Sequence, residues 1–76
     1  MADKDKDNGN SVAKVTELSA RSTKSFEDAI QAGITRASKT LRNVNSAWVK
    51  EQRIEVKDGK IMSYQVNLMI TFTLEG

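Results

Sequence analysis

The chain has 76 residues, 12 Lys and Arg against 10 Asp and Glu for a net charge of +2, and neither Cys nor His. A chain this short forms one domain and gains only ~3–5 kcal/mol from its own core, while the missing residue types exclude disulfide staples, zinc fingers, thiolate chemistry and imidazole catalysis. Carboxylates remain as ligands for a hard cation such as calcium or magnesium, and self-association remains as the route to stability.

The charges are mixed in sign along the chain, and the pI is about 9.1. A nucleic-acid footprint needs Lys and Arg gathered on one face, so no nucleic-acid partner is expected. No run approaches the ~18 apolar residues of a membrane span, and no charged-then-apolar leader opens the chain, so a soluble cytoplasmic protein is the expectation. Residues 1–10, MADKDKDNGN, hold three Asp and two Lys and almost nothing to bury. They are expected to form a disordered tail ahead of a domain over 11–76.

Ser11 to Ser19, with Val12, Val15, Thr16 and Leu18 among polar residues, predicts a strand, followed by a polar loop from Ala20 to Lys24. Ser25 to about Leu41 predicts a helix. Ser25 and Asp28 resemble a capping box with Asp in the place of Glu, and Glu27 and Asp28 suit the positive end of the helix dipole. Phe26, Ala29, Ile30, Gly33, Ile34, Ala37 and Leu41 make one apolar stripe. Gly33 costs roughly 1 kcal/mol relative to Ala, which close packing against a sheet would justify.

The chain is organised around the hairpin that follows. Asp58-Gly59 between two β-branched and aromatic runs predicts a two-residue type I′ turn. With that turn, Lys57 faces Lys60, Val56 faces Ile61, Gln52 faces Gln65 and Trp48 faces Met69. One face then carries Ala47, Val49, Tyr64, Val66, Leu68, Ile70, Phe72 and Leu74, with Glu51 and Arg53 nearer the turn. The other carries Ser46, Trp48, Lys50, Gln52, Ile54 and Val56 with Ser63, Gln65, Asn67, Met69, Thr71 and Thr73. The first reads as a core and the second, amphipathic face is where function is sought.

The expected fold is α+β in the order β-α-β-β, a three-stranded antiparallel sheet partly wrapped around one helix. A helix of about 17 residues spans ~25 Å, whereas a strand of about 14 spans ~45 Å. The sheet therefore outruns its helix, and further copies of the chain are the economical cover for the rest.

The β-α-β-β order, the helix segment SFEDAIQAGITRASKTLRNV, the segment KEQR and the ending YQVNLMITFTLE resemble a dodecin from about Val12 to Glu75. The resemblance implies a hollow homododecamer that binds flavin, riboflavin or FMN, at subunit interfaces and stores or sequesters it without being an enzyme. It also implies ligand contacts. The family's flavin-contacting Gln corresponds to Gln65, and its Arg associated with pocket or phosphate corresponds to Arg53. Aligned without gaps, the family's stacking Trp falls at Ser46, and Trp48 lies two residues later on the same face. A basic residue often found after the final Phe is here Thr73.

Trp48, Gln52 and Gln65 would line the pocket, with Ser46 at the stacking position and Arg53 near any phosphate. Each has a plainer reading from its residue type. Trp48 would plug a subunit interface, Gln65 would pair with Gln52, and Arg53 would pair with Glu51 or Glu55. The second functional reading is a dodecin-like oligomer without flavin, structural or calcium-binding, since a branch lacking the stacking Trp is associated with calcium. Glu17, Glu27 and Asp28 are its candidate ligands.

Overall fold

A computed structural model describes residues 9–74. The chain forms β1 (Ala13–Ser22), α1 (Phe26–Thr40), β2 (Val44–Lys57) and β3 (Lys60–Thr73). Residues 1–8 of the expected tail lie outside the described residues. The three strands make one antiparallel sheet in the order β1-β3-β2. The expected α+β architecture is therefore present, with β3 as the central strand.

The helix begins where the sequence places it. Ser25 is the N-cap, and its hydroxyl accepts the Asp28 backbone N–H at 3.0 Å. The other half of the expected capping box is absent. The Asp28 carboxylate instead accepts a hydrogen bond from the Ser22 hydroxyl at 2.7 Å, and Ser22 Oγ accepts the Lys24 and Ser25 backbone N–H groups. Ser22 takes this part because β1 runs three residues further than expected, pairing Arg21 with Gln65 and Ser22 with Tyr64. The predicted loop from Ala20 shortens accordingly.

Small residues set how closely the helix approaches the sheet. Ala29, Gly33 and Ala37 are the buried helix positions, and they meet Val66, Leu68 and Ile70 of β3. A Cβ on Gly33 would lie 2.8 Å from Leu68 Cδ1 and 3.1 Å from Leu18 Cδ1, inside contact distance. Close packing is thus the reason for glycine in a helix interior. Leu18, Ala20, Phe26, Ile30, Ile34, Leu41 and Val44 complete the core. Phe26 and Tyr64 meet edge to face, with ring centroids 5.1 Å apart.

The hairpin turn is left-handed at both central residues, Asp58 at φ 53° and Gly59 at φ 77°, as a type I′ turn requires. Beyond the turn the register departs from the expected one. Lys57 faces Lys60 and Val56 faces Ile61, but Met62 is an extra residue on β3, so Glu55 faces Ser63, Ile54 faces Tyr64, Arg53 faces Gln65 and Gln52 faces Val66. Lys50 is then an extra residue on β2 and restores the expected register, so Val49 faces Leu68 and Trp48 faces Met69. Each bulge shifts the pairing by one residue, and a shift of one reverses which face a side chain occupies.

The stretch between the bulges is therefore inverted relative to expectation. Gln52 and Ile54 stand on the helix side, and Glu51, Arg53 and Glu55 stand on the outer face. The expected Gln52–Gln65 pair does not form. The lengths agree with expectation: α1 has 15 residues, about 22 Å, and β2 and β3 have 14 each, about 46 Å.

Candidate functional site

The outer face is built on β3, whose Gln65, Asn67, Met69 and Thr71 point away from the helix because Val66, Leu68 and Ile70 point into it. β1 lays Glu17 beside Met69, Ser19 beside Asn67 and Arg21 beside Gln65. β2 lays Ser46 beside Thr71, Trp48 beside Met69, Glu51 beside Asn67 and Arg53 beside Gln65. Four expected site residues, Ser46, Trp48, Arg53 and Gln65, are thus gathered on one face. Gln52 is not among them. The bulge at Lys50 sends it to the other face and brings Arg53 out in its place.

Trp48 is the large apolar group of this face and is 51% exposed in the single chain. Gln65 and Met69 lie four residues apart on β3, so Trp48 and Gln65 are separated by about 13 Å along the sheet. Arg53 is exposed and lies 3.6 Å from the Glu51 carboxylate, a solvated pair of the kind worth ~0–1 kcal/mol. Its guanidinium is thus held only loosely beside Gln65.

A chain of hydrogen bonds crosses the same face. Gln65 Nε2 donates to Asn67 Oδ1 at 3.3 Å, Asn67 Nδ2 donates to Glu17 Oε2 at 3.2 Å, and Lys50 Nζ donates to Glu17 Oε1 at 3.3 Å. Lys50 reaches Glu17 across β3, from one edge strand to the other. The bonds from Asn67 first, and then from Lys50, hold the Glu17 carboxyl below its ordinary value. Asn67 and Lys50 were not singled out from the sequence. Gln65 and Asn67 at a spacing of two mark a shared face, but the register of β1 that delivers Glu17 to them has no local signal.

The three carboxylates considered for a cation do not converge. Glu17 is on the outer face and engaged by Asn67 and Lys50, whereas Asp28 is at the helix start and engaged by Ser22. Glu27 lies beside Asp28 in the first turn of α1. Among the described residues there is no group of three or more Asp, Glu, His or Cys placed to hold a metal ion. No helix among them is long and apolar enough to cross a membrane.

The Dodecin family model matches residues 12–75, nearly the whole chain. The chain belongs to the dodecin family. A Thermus thermophilus dodecin is 42% identical over 64 residues, which cover 84% of this chain and 93% of the relative. The solved dodecin of Streptomyces coelicolor superposes with a TM-score of 0.81 at 34% identity, over 88% of this chain and 96% of that one. A Mycobacterium tuberculosis structure described as a calcium dodecin with a novel calcium-binding site superposes with a TM-score of 0.73 at 32% identity, over 86% of this chain and 93% of its own.

Proposed function

We propose that this dodecin is a homododecameric shell in the cytoplasm that binds and sequesters flavin, riboflavin or FMN, and is not an enzyme. The observation that carries the reading is the outer face itself, which holds a half-exposed indole, a free amide edge and a guanidinium together. The donor set suits the ligand. Trp48 offers a ring to stack on, worth ~0.5–1.5 kcal/mol beyond area burial. Gln65 offers an amide acceptor with a remaining N–H, and Arg53 a planar fork for a phosphate. Flavin would supply the light- and redox-active ring, and the protein would supply binding and the exclusion of solvent.

One chain holds Trp48 and Gln65 too far apart for both to meet the same ring edge, so two copies with outer faces opposed complete the site. Ser46 then lies two residues from Trp48 on the same face, beside whatever stacks there. Titration of riboflavin and of FMN with the protein tests the reading by loss of free-flavin fluorescence. Quenching that saturates supports it, and unquenched emission at excess protein overturns it. Sedimentation is expected to give a mass near twelve chains.

The calcium-binding neighbour, together with Ser46 at the stacking position, favours one second reading: a dodecin-type oligomer that holds a cation instead. The separation of Glu17 from Glu27 and Asp28 means that such a site would draw its oxygens from several copies. Elemental analysis of the purified protein and melting with and without a chelator test it. Absence of bound calcium together with an unchanged melting temperature overturns it.

A further inference from the structure

We propose that Lys50, Glu17 and Asn67 are positioning residues that lock the Gln65 side-chain amide in one orientation, its carbonyl oxygen turned free to accept an imide N–H from a bound flavin. The inference rests on the flavin reading above and adds to it a polarity that the geometry enforces.

Polarity passes link by link along the face. Lys50 can only donate, and a carboxylate can only accept, so the contact at 3.3 Å favours ionised Glu17. Ionised Glu17 cannot donate to Asn67. The 3.2 Å contact must therefore come from the Asn67 amino group, which turns the Asn67 carbonyl oxygen toward Gln65. A carbonyl oxygen accepts only, so Gln65 must present its own amino group across the 3.3 Å contact. The Gln65 carbonyl oxygen is left pointing away, without a partner among the described residues. An amide can ordinarily exchange its oxygen and nitrogen by a half-turn about its last torsion. Here a charge three links away removes that freedom.

The chemistry that this orientation selects is specific. A free amide oxygen beside one remaining N–H matches a ligand edge that carries N–H next to carbonyl, as in the imide of the flavin pyrimidine ring. A ligand whose imide nitrogen carries a methyl group has nothing to donate. The other charged groups of the face are Arg21 beside Gln65, Arg53 opposite it, and Glu51, which pairs with Arg53. None of them appears in the chain of bonds from Lys50 to Gln65.

The test compares riboflavin with 3-methylriboflavin by fluorescence titration. Wild type is expected to prefer riboflavin about fivefold, the size that one neutral hydrogen bond sets. In Glu17→Gln the new amide keeps its oxygen toward Lys50 and turns its amino group to Asn67, so the chain is no longer held in the original direction, the Gln65 oxygen is drawn toward Asn67, and the preference falls toward unity. Adding Asn67→Asp to Glu17→Gln places an obligate acceptor one link nearer, able to accept from the amides on both sides of it, and the preference is expected to return. A merely structural role for Glu17 predicts no such recovery. Unchanged preference in Glu17→Gln, or no recovery in the double variant while both keep the wild-type far-ultraviolet circular dichroism spectrum and sedimentation, overturns the positioning role alone. Failure of wild type to quench either flavin overturns the flavin reading and this inference together.

Discussion

The two halves of the hairpin have the same kind of sequence and opposite fates. In the half nearer the helix, where Val49 faces Leu68 and Ala47 faces Ile70, the β3 side is sealed: Val66, Leu68 and Ile70 are at most 1% exposed, although their β2 partners stay exposed. In the half nearer the turn, Ile54, Val56, Ile61 and Met62 are 44–58% exposed. The difference is length. β1 stops at Ser22 opposite Tyr64, so past that row β3 has only β2 beside it. Apolar alternation thus marks a strand that will be covered, without saying whether this chain or a second copy covers it.

Truncation in the sealed half is expected to have the largest effect. Leu68→Ala should cost about 2–5 kcal/mol, because the deleted methyls leave a cavity between α1 and β3, beside Leu18. Urea denaturation at one fixed protein concentration measures it, since association and folding are linked in an oligomer. A loss below ~1 kcal/mol would mean that this half is not the core.

Gly33→Ala probes the same half from the helix side and should be milder. The added methyl meets Leu68 and Leu18 inside contact distance, an overpacking that costs ~1–3 kcal/mol, while Ala regains about 1 kcal/mol of helix propensity. A net loss of about 1 kcal/mol is expected by the same denaturation. A stabilised variant would show that the helix can back away from the sheet without cost.

The far half should answer a different measurement. Ile61→Asp lies on an exposed strand end and should change the chain's own folding by under ~0.5 kcal/mol, with an unaltered far-ultraviolet circular dichroism spectrum. Its sedimentation should shift to lighter species, since a charge would face a second copy. An unchanged mass would break the comparison by showing that this half stays in water after assembly.

Much of the fold was legible in the sequence. Asp58-Gly59 gave the turn, Ser25 the helix start, and Gly33 the close approach. What was not legible were the irregularities at Asn45, Lys50 and Met62; the last two each add one residue, and their effects cancel at Trp48. The register is right beside the turn and again from Val49 to Ser46, wrong between, and wrong once more past Asn45, where Val44 faces Phe72. A clue was present in Glu51, Arg53 and Glu55, three charges at a spacing of two that the unbulged register turned toward the helix side. Solvation of that row requires the slip, and the slip exchanges Gln52 for Arg53 beside Gln65. The family likeness named Gln65 and Arg53 without placing them, and the Glu17 to Gln65 chain depends on β1 pairing that no short motif encodes.

The smallest expected effect belongs to the outer face, where Glu17 is paired but exposed. Its carboxyl titrates below the ordinary value of 4.5 because Asn67 and Lys50 donate to the ionised form. The stabilisation it contributes is therefore fully present above 4.5 and is lost as pH falls through the lower folded value. Glu17→Gln removes that dependence. The difference in melting temperature between wild type and Glu17→Gln should be constant near neutrality and shrink as the solution is acidified past 4.5, at low ionic strength where surface charge is least screened. A gap that persists or widens in acid would mean that the Gln variant fails for a reason other than charge, and that Lys50 and Asn67 do not hold this carboxylate ionised.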